Sequence, residues 1–100
     1  MDSLSILMPV YNERATAARA VDEVLAANLP VDGVELIVVD DGSTDGTAEL
    51  LAERDWPEGT QLIRHDRNRG KGAALRTALA RASGEYVAIM DADLEYDVDD

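Results

Sequence analysis

The chain has 100 residues, enough for one domain at most and a modest core. Its formal net charge is -12, from 21 acidic residues against nine basic ones of which only Lys71 is a lysine; this argues against binding a nucleic-acid backbone and suits a high-salt milieu. The absence of cysteine excludes a disulfide framework, a thiolate zinc site and a cysteine nucleophile, and fits cytoplasmic residence, while 46% hydrophobic residues without any Phe require a core of Ala, Val, Leu and Ile.

Met1-Asp2 and the apolar residues that follow lack the basic n-region and length of a signal peptide, and no apolar run approaches about 18 residues, so no membrane span is expected. Residues 4–10 form a nearly continuous apolar run broken by Pro9, the pattern of a buried parallel strand. From Arg14 to Ala27 the apolar positions Ala17, Val21, Val24 and Leu25 repeat at helical spacing. After a break at residues 30–33, residues 34–39 are rich in β-branched side chains and end at the carboxylates of Asp40 and Asp41. Residues 42–46 are a turn cluster in which Ser43, Thr44 or Asp45 can cap a short helix through Ala48, Leu51 and Ala52. Trp56-Pro57-Glu58-Gly59 closes it, with Trp56 expected as a hydrophobic anchor under the loop.

Residues 61–65 predict a short strand, followed by the polar loop 66–72. Leu75, Ala78, Leu79 and Ala82 predict a third helix ended by Ser83-Gly84, and residues 86–90 predict a fourth strand that leads directly into Asp91, Ala92 and Asp93. The alternation implies a parallel sheet, right-handed crossovers and helices on both faces, a three-layer α/β/α sandwich. The expected strand order is 3-2-1-4, with Asp41, Asp91 and Asp93 facing one cleft.

A D-x-D pair alone says little in so Asp-rich a chain, and Asp97 with Asp99 reads as a chance pair. Asp91 and Asp93 differ by place: they follow an apolar strand, where two-residue spacing sends both side chains the same way. Together they would offer a hard oxygen site for Mg²⁺ or Mn²⁺, the alternative being a solvated acidic loop. In open α/β sheets, ligands bind beyond the carboxyl ends of strands. Tyr11-Asn12-Glu13, Asp40-Asp41-Gly42-Ser43 and Asp91-Ala92-Asp93 all fall at such ends. Tyr11 could stack on a base and Asp41 could accept from base or ribose donors, or either could be a rim or capping residue.

Asn68-Arg69-Gly70-Lys71-Gly72 precedes the third helix, as a ligand-approaching loop or as a plain helix start. It is neither a Walker A loop, since Gly72 replaces Ser or Thr, nor a dinucleotide fingerprint, since Leu75 replaces the third Gly. A calcium loop from Asp41 fails at Ala52, where Glu is required. His65, without a second nitrogen or thiol ligand, reads as a strand-end surface residue. A phosphoacceptor signalling domain would carry its acidic pair after the first strand, whereas Asp40 and Asp41 follow the second.

Together, Met8-Pro9-Val10-Tyr11-Asn12-Glu13, residues 38–47 (VVDDGSTDGT), residues 68–74 (NRGKGAA) and Asp91-Ala92-Asp93-Leu94 resemble family 2 glycosyltransferases of the glycosyltransferase A fold, over the whole chain. Within that family, dolichol-phosphate mannosyltransferase and other polyprenyl-phosphate sugar transferases are most similar. The resemblance implies that Pro9, Tyr11, Glu13, Val39 and Asp41 hold the nucleoside, and that Asp91, Ala92 and Asp93 serve a diphosphate and its Mg²⁺ or Mn²⁺. Lys71 joins the nucleotide-sugar site and Glu95 the metal set. Glu95 stands where better-known members carry Gln, and Val98 where Pro is common.

The implied reaction is inverting transfer of a hexose from a GDP-mannose or UDP-glucose type donor to an acceptor, a polyprenyl or dolichyl phosphate by this resemblance, at the cytoplasmic membrane face. Residues 1–100 are expected to be the N-terminal nucleotide-sugar-binding part of that domain, ending after the fourth strand. The catalytic, acceptor-side residues are expected beyond Asp100, and the 100 residues alone are expected to be inactive. The alternative is a non-catalytic nucleotide-binding fragment or partner subunit.

Overall fold

The computed structural model describes residues 3–26 and 33–91. Four strands, β1 (Ser3–Val10), β2 (Gly33–Asp40), β3 (Thr60–Arg64) and β4 (Tyr86–Ile89), alternate with helices α1 (Ala17–Ala26), α2 (Thr47–Ala52) and α3 (Lys71–Arg81). All strand pairs are parallel and the order is β3-β2-β1-β4, the expected 3-2-1-4.

The pleat divides the apolar residues into two layers. Ile6, Met8 and Val10 of β1, with Leu36 and Val38 of β2, pack against Ala17, Ala20, Val21 and Val24 of α1 and Leu51 of α2. The opposite alternates, Leu7, Ile37 and Val39, pack against Ala74 and Ala78 of α3. Small alanines let each helix lie close to the sheet, so a chain without Phe still closes a core on both faces. Trp56 packs against the first layer and donates its indole N–H to the Leu51 carbonyl at 3.0 Å, the expected anchor.

Three elements depart from the sequence reading. Helix α1 begins at Ala17 rather than Arg14, because Asn12 has φ 51° and the Arg14 amide donates to Asp45 Oδ2 at 3.3 Å instead of entering a helical turn. Leu25 and Leu79, expected on apolar faces, are exposed, while Ala20 and Ala74 take the buried positions. Strand β4 is exposed along its whole length; among the described residues it pairs only with β1, and no helix covers Tyr86, Val87 or Ile89.

Pro9 lies inside a central strand without breaking it. The Leu7 carbonyl accepts from the Met90 amide at 2.9 Å. Alternate residues point the same way. The missing N–H of Pro9 therefore falls on the β4 side, beyond the last paired residue, Ile89.

Candidate functional site

The site is built where β1, β2 and β4 end. Period-two alternation separates Asp40 from Asp41. Asp40 turns to the α1–α2 side, fully buried, where Oδ2 accepts from the Ser43 amide at 3.1 Å and Oδ1 from the Ser43 hydroxyl at 2.7 Å. The Ser43 hydroxyl accepts in turn from the Asn12 amide at 2.9 Å, and Asn12 Oδ1 accepts from the Thr44 amide at 2.8 Å. Asp40 thus locks the Tyr11-Asn12-Glu13 turn to the β2 turn. Asp45 accepts from the amide and the hydroxyl of Thr47 and so closes the start of α2 from one residue before the expected capping geometry; Gly46 occupies the N-cap itself. Hydrogen bonds from Thr47, its hydroxyl first, hold the Asp45 carboxyl below its ordinary value.

Asp41 faces the α3 side. Its carboxylate is almost wholly buried, with Oδ1 accepting from the Arg69 amide at 3.0 Å and Oδ2 from the Gly70 amide at 2.8 Å. His65 Nδ1 lies 2.8 Å from Oδ1, and Nε2 lies 2.8 Å from the Thr77 hydroxyl. Burial alone would raise the Asp41 carboxyl, but the hydrogen bonds from His65, Arg69 and Gly70 outweigh it and leave it below its ordinary value. The ionised carboxylate accepts only, so Nδ1 carries the proton of that contact. This corrects the reading of His65 as a surface residue: it follows β3 but is buried and hydrogen-bonded on both sides. A lone histidine without ligand-type spacing gives no sequence signal for partners 24 and 12 positions away.

Gly42 allows the loop to close over Asp41. Its φ is 72°, and a Cβ there would stand 2.2 Å from the carbonyl carbon of Arg67 and 2.4 Å from the Asn68 amide nitrogen. Only glycine fits both the backbone conformation and the approach.

The result is a cleft of about 320 Å³ lined by Pro9, Tyr11, Glu13, Asp41, Lys71 and Asp91, together with Val10, Asn68, Gly70 and Ala74. Six residues singled out in the sequence thus meet at one wall-and-floor arrangement, of a size that holds a small-molecule ligand. Lys71, the first residue of α3, places its Nζ 2.7 Å from Asp91 Oδ1, with both side chains about half exposed. A cation and a carboxylate therefore share the rim. Val39, expected at the nucleoside, does not line the cleft: it is fully buried and packs with Ala74 beneath the floor. Ala92, Asp93 and Glu95 lie outside the described residues. Among the described residues no group of three metal-ligating side chains comes together; Asp91 contributes one exposed, hard oxygen donor.

Residues 5–100 match the family profile of Glycosyl transferase family 2. The poly-beta-1,6-N-acetyl-D-glucosamine synthase of Staphylococcus epidermidis is 35% identical over 99 residues, which cover 99% of this chain and 24% of that protein. The undecaprenyl-phosphate 4-deoxy-4-formamido-L-arabinose transferase of Pseudomonas aeruginosa is 38% identical, over 95% of this chain and 29% of that one. Among solved structures, the mannosyltransferase PcManGT from Pyrobaculum calidifontis in complex with GDP-Man and Mn²⁺ superposes with a TM-score of 0.79 at 38% identity, covering 90% of this chain and 27% of that chain. The chain thus spans about a quarter of the length of the proteins it resembles. On sequence, on fold and on the placement of its motifs, this chain belongs to glycosyl transferase family 2.

Proposed function

We propose that this chain forms the nucleotide-sugar-binding part of an inverting glycosyltransferase that transfers a hexose from a GDP-mannose or UDP-glucose type donor to a polyprenyl phosphate. The observation that carries the reading is the convergence of Pro9, Tyr11, Glu13, Asp41, Lys71 and Asp91 on one cleft beyond the strand ends. In this reading Pro9 and Tyr11 offer apolar and aromatic surface to the nucleoside. Asp41 accepts a hydrogen bond from it, and Val39 supports the floor from the core. Lys71 faces the diphosphate, where its charge offsets negative charge.

A hard divalent cation is supported by the carboxylate of Asp91 at the rim, which offers oxygen donors, one of them shared with Lys71. Asp91, Asp93 and Glu95 would hold Mg²⁺ or Mn²⁺, with Ala92 between them against the diphosphate. When bound, the ion would supply charge stabilisation to the leaving diphosphate. The acceptor oxygen would attack the anomeric carbon opposite the diphosphate, inverting the configuration. A phosphate acceptor, with a second pKa of about 6, is already anionic near neutral pH and needs little help from a general base. The relative from Pseudomonas aeruginosa, whose name carries an undecaprenyl phosphate, supports that acceptor class, and among the described residues no helix is long and apolar enough to cross a membrane. A site at the cytoplasmic membrane face accords with a polyprenyl acceptor.

Calorimetric titration with GDP-mannose and UDP-glucose, with and without Mn²⁺, tests the reading. The expected result is saturable binding of one of the two that strengthens with Mn²⁺ and loses the Mn²⁺ dependence in Asp93→Ala, with the fold intact. Binding that ignores both the substitution and EDTA would show that the acidic residues are only a solvated loop.

A further inference from the structure

The cleft residue Asp41 does not hold itself in place. Its carboxylate has about four acceptor positions. Oδ1 already accepts from His65 and the Arg69 amide, and Oδ2 from the Gly70 amide, so about one position remains, on Oδ2, for a ligand. Which position stays open depends on how the carboxylate is rotated, and that rotation is set from behind by His65. The imidazole is buried, and it is absent from the cleft lining. Its second nitrogen is fixed on the Thr77 hydroxyl, in the middle of α3, the same helix whose first residue is Lys71. One ring therefore joins the end of β2, the end of β3, the loop before α3 and α3 itself. The backbone repeats the tie: the His65 amide donates to the Asp40 carbonyl at 2.8 Å, which fixes the ring's own position against β2.

We propose that His65 is a positioning residue: it clips the Asp41 carboxylate, and through it the Arg69 and Gly70 amides, into the arrangement with which the cleft meets a nucleotide. The inference rests on the nucleotide reading above. It touches no ligand and takes no part in chemistry; its effect passes entirely through Asp41 and the loop.

The two ring nitrogens can be separated by substitution. In His65→Asn the side-chain amide takes the place of Nδ1 and still donates to Asp41. In His65→Gln it reaches the place of Nε2 and Thr77 but leaves Oδ1 with the Arg69 amide alone. Two readouts in the full chain decide the matter: hydrogen exchange of the Arg69 and Gly70 amides without ligand, and the affinity for UDP and GDP by calorimetry. His65→Gln is expected to lose about tenfold or more of the exchange protection at those two amides and to weaken nucleotide binding by about tenfold, the worth of a hydrogen bond to a charged group. His65→Asn is expected to stay within about threefold of wild type in both, whatever its melting temperature. A merely structural histidine would lower stability in both variants and move neither readout selectively. Equal behaviour of the two variants, or unchanged protection in His65→Gln, overturns the proposal, as does altered protection with unaltered affinity. Should His65→Gln not fold, His65→Leu, which fills the same space but donates to neither Asp41 nor Thr77, is expected to raise exchange at the same two amides about tenfold, and no rise there overturns it as well. A wild-type protein that binds neither UDP nor GDP overturns the nucleotide reading by itself, while the exchange comparison still upholds or overturns the clip.

Discussion

Strand β2 carries a carboxylate hub near each of its ends, and the two differ in what they face. Near the amino end, Glu35 Oε1 accepts from the Ser5 hydroxyl at 2.7 Å and from the Ser83 amide at 2.9 Å, while Gln61 reaches Oε2 at 3.5 Å. At the carboxyl end, Asp41 gathers His65 and the Arg69 and Gly70 amides. Each hub joins three or more segments, and each has a glycine where chains approach. Gly84 would place a Cβ 2.7 Å from the Ser5 amide nitrogen, as Gly42 would against Arg67. Only Asp41 opens onto the cleft. The same chemistry therefore serves as a fastening at one end and as a fastening with a binding face at the other. Position relative to the strand ends, not residue type, separates the two.

The comparison breaks most sharply at Asp41 and Gly42. Asp41→Ala leaves His65 and two amides without their acceptor, and is expected to cost about 3 kcal/mol of stability and to abolish nucleotide binding. Gly42→Ala forces a side chain into backbone at a positive φ and is expected to destabilise by about 3 kcal/mol or more. Urea unfolding gives the stability and calorimetry the affinity. Glu35→Gln, which keeps the shape of its hub and weakens the acceptor, is expected to cost only about 1 kcal/mol and to leave nucleotide affinity unchanged. An affinity loss in Glu35→Gln as large as that in Asp41→Ala would erase the distinction between the two ends.

Acid sharpens it further. For Glu35, burial would raise the carboxyl, but the hydrogen bonds from Ser83, Ser5 and Gln61 outweigh it and hold it below its ordinary value, as happens at Asp41. A carboxyl lowered by folding contributes stability that is complete above its unfolded value, about pH 4, and is lost as pH falls through the folded value. The stability these two carboxyls contribute should therefore be flat from neutral pH to about pH 4 and fall below it. Asp41→Asn and Glu35→Gln should each flatten part of that acid limb, Asp41→Asn alone also weakening nucleotide binding. The smallest effect is expected at the surface: breaking the exposed Arg19–Glu23 pair should change stability by about 0.5 kcal/mol or less, an amount that salt erases.

Much of this was legible in the sequence because it depends on local pattern. Apolar runs alternating with helical periodicity determine the layers, and polar clusters after those runs must fall at the strand ends. That placement brings Pro9, Tyr11, Glu13, Asp41, Lys71 and Asp91 to one cleft. What stayed hidden depends on tertiary contact. His65 has no local pattern that announces Asp41 or Thr77. Asp40 and Asp41 look like a pair until the pleat sends them to opposite faces. Val39 reads as part of the site by its place in the motif, but the same alternation puts it under α3. The helical positions of Leu25 and Leu79 fit an apolar face in sequence, yet Ala17, Ala20, Val21 and Val24 of α1 and Ala74 and Ala78 of α3 take the buried rows.

The cleft beyond the strand ends, and not the matching hub near the strand starts, is expected to bind the donor. Amide chemical-shift mapping during titration with GDP-mannose or UDP-glucose in Mg²⁺, which is diamagnetic, is the test. Shifts are expected to concentrate at Tyr11, Glu13, Asp41, Gly70, Lys71 and Asp91, with Ser5, Glu35 and Ser83 unmoved. Shifts centred on Ser5, Glu35 and Ser83, or none at the cleft with either nucleotide sugar at saturating concentration, would contradict it.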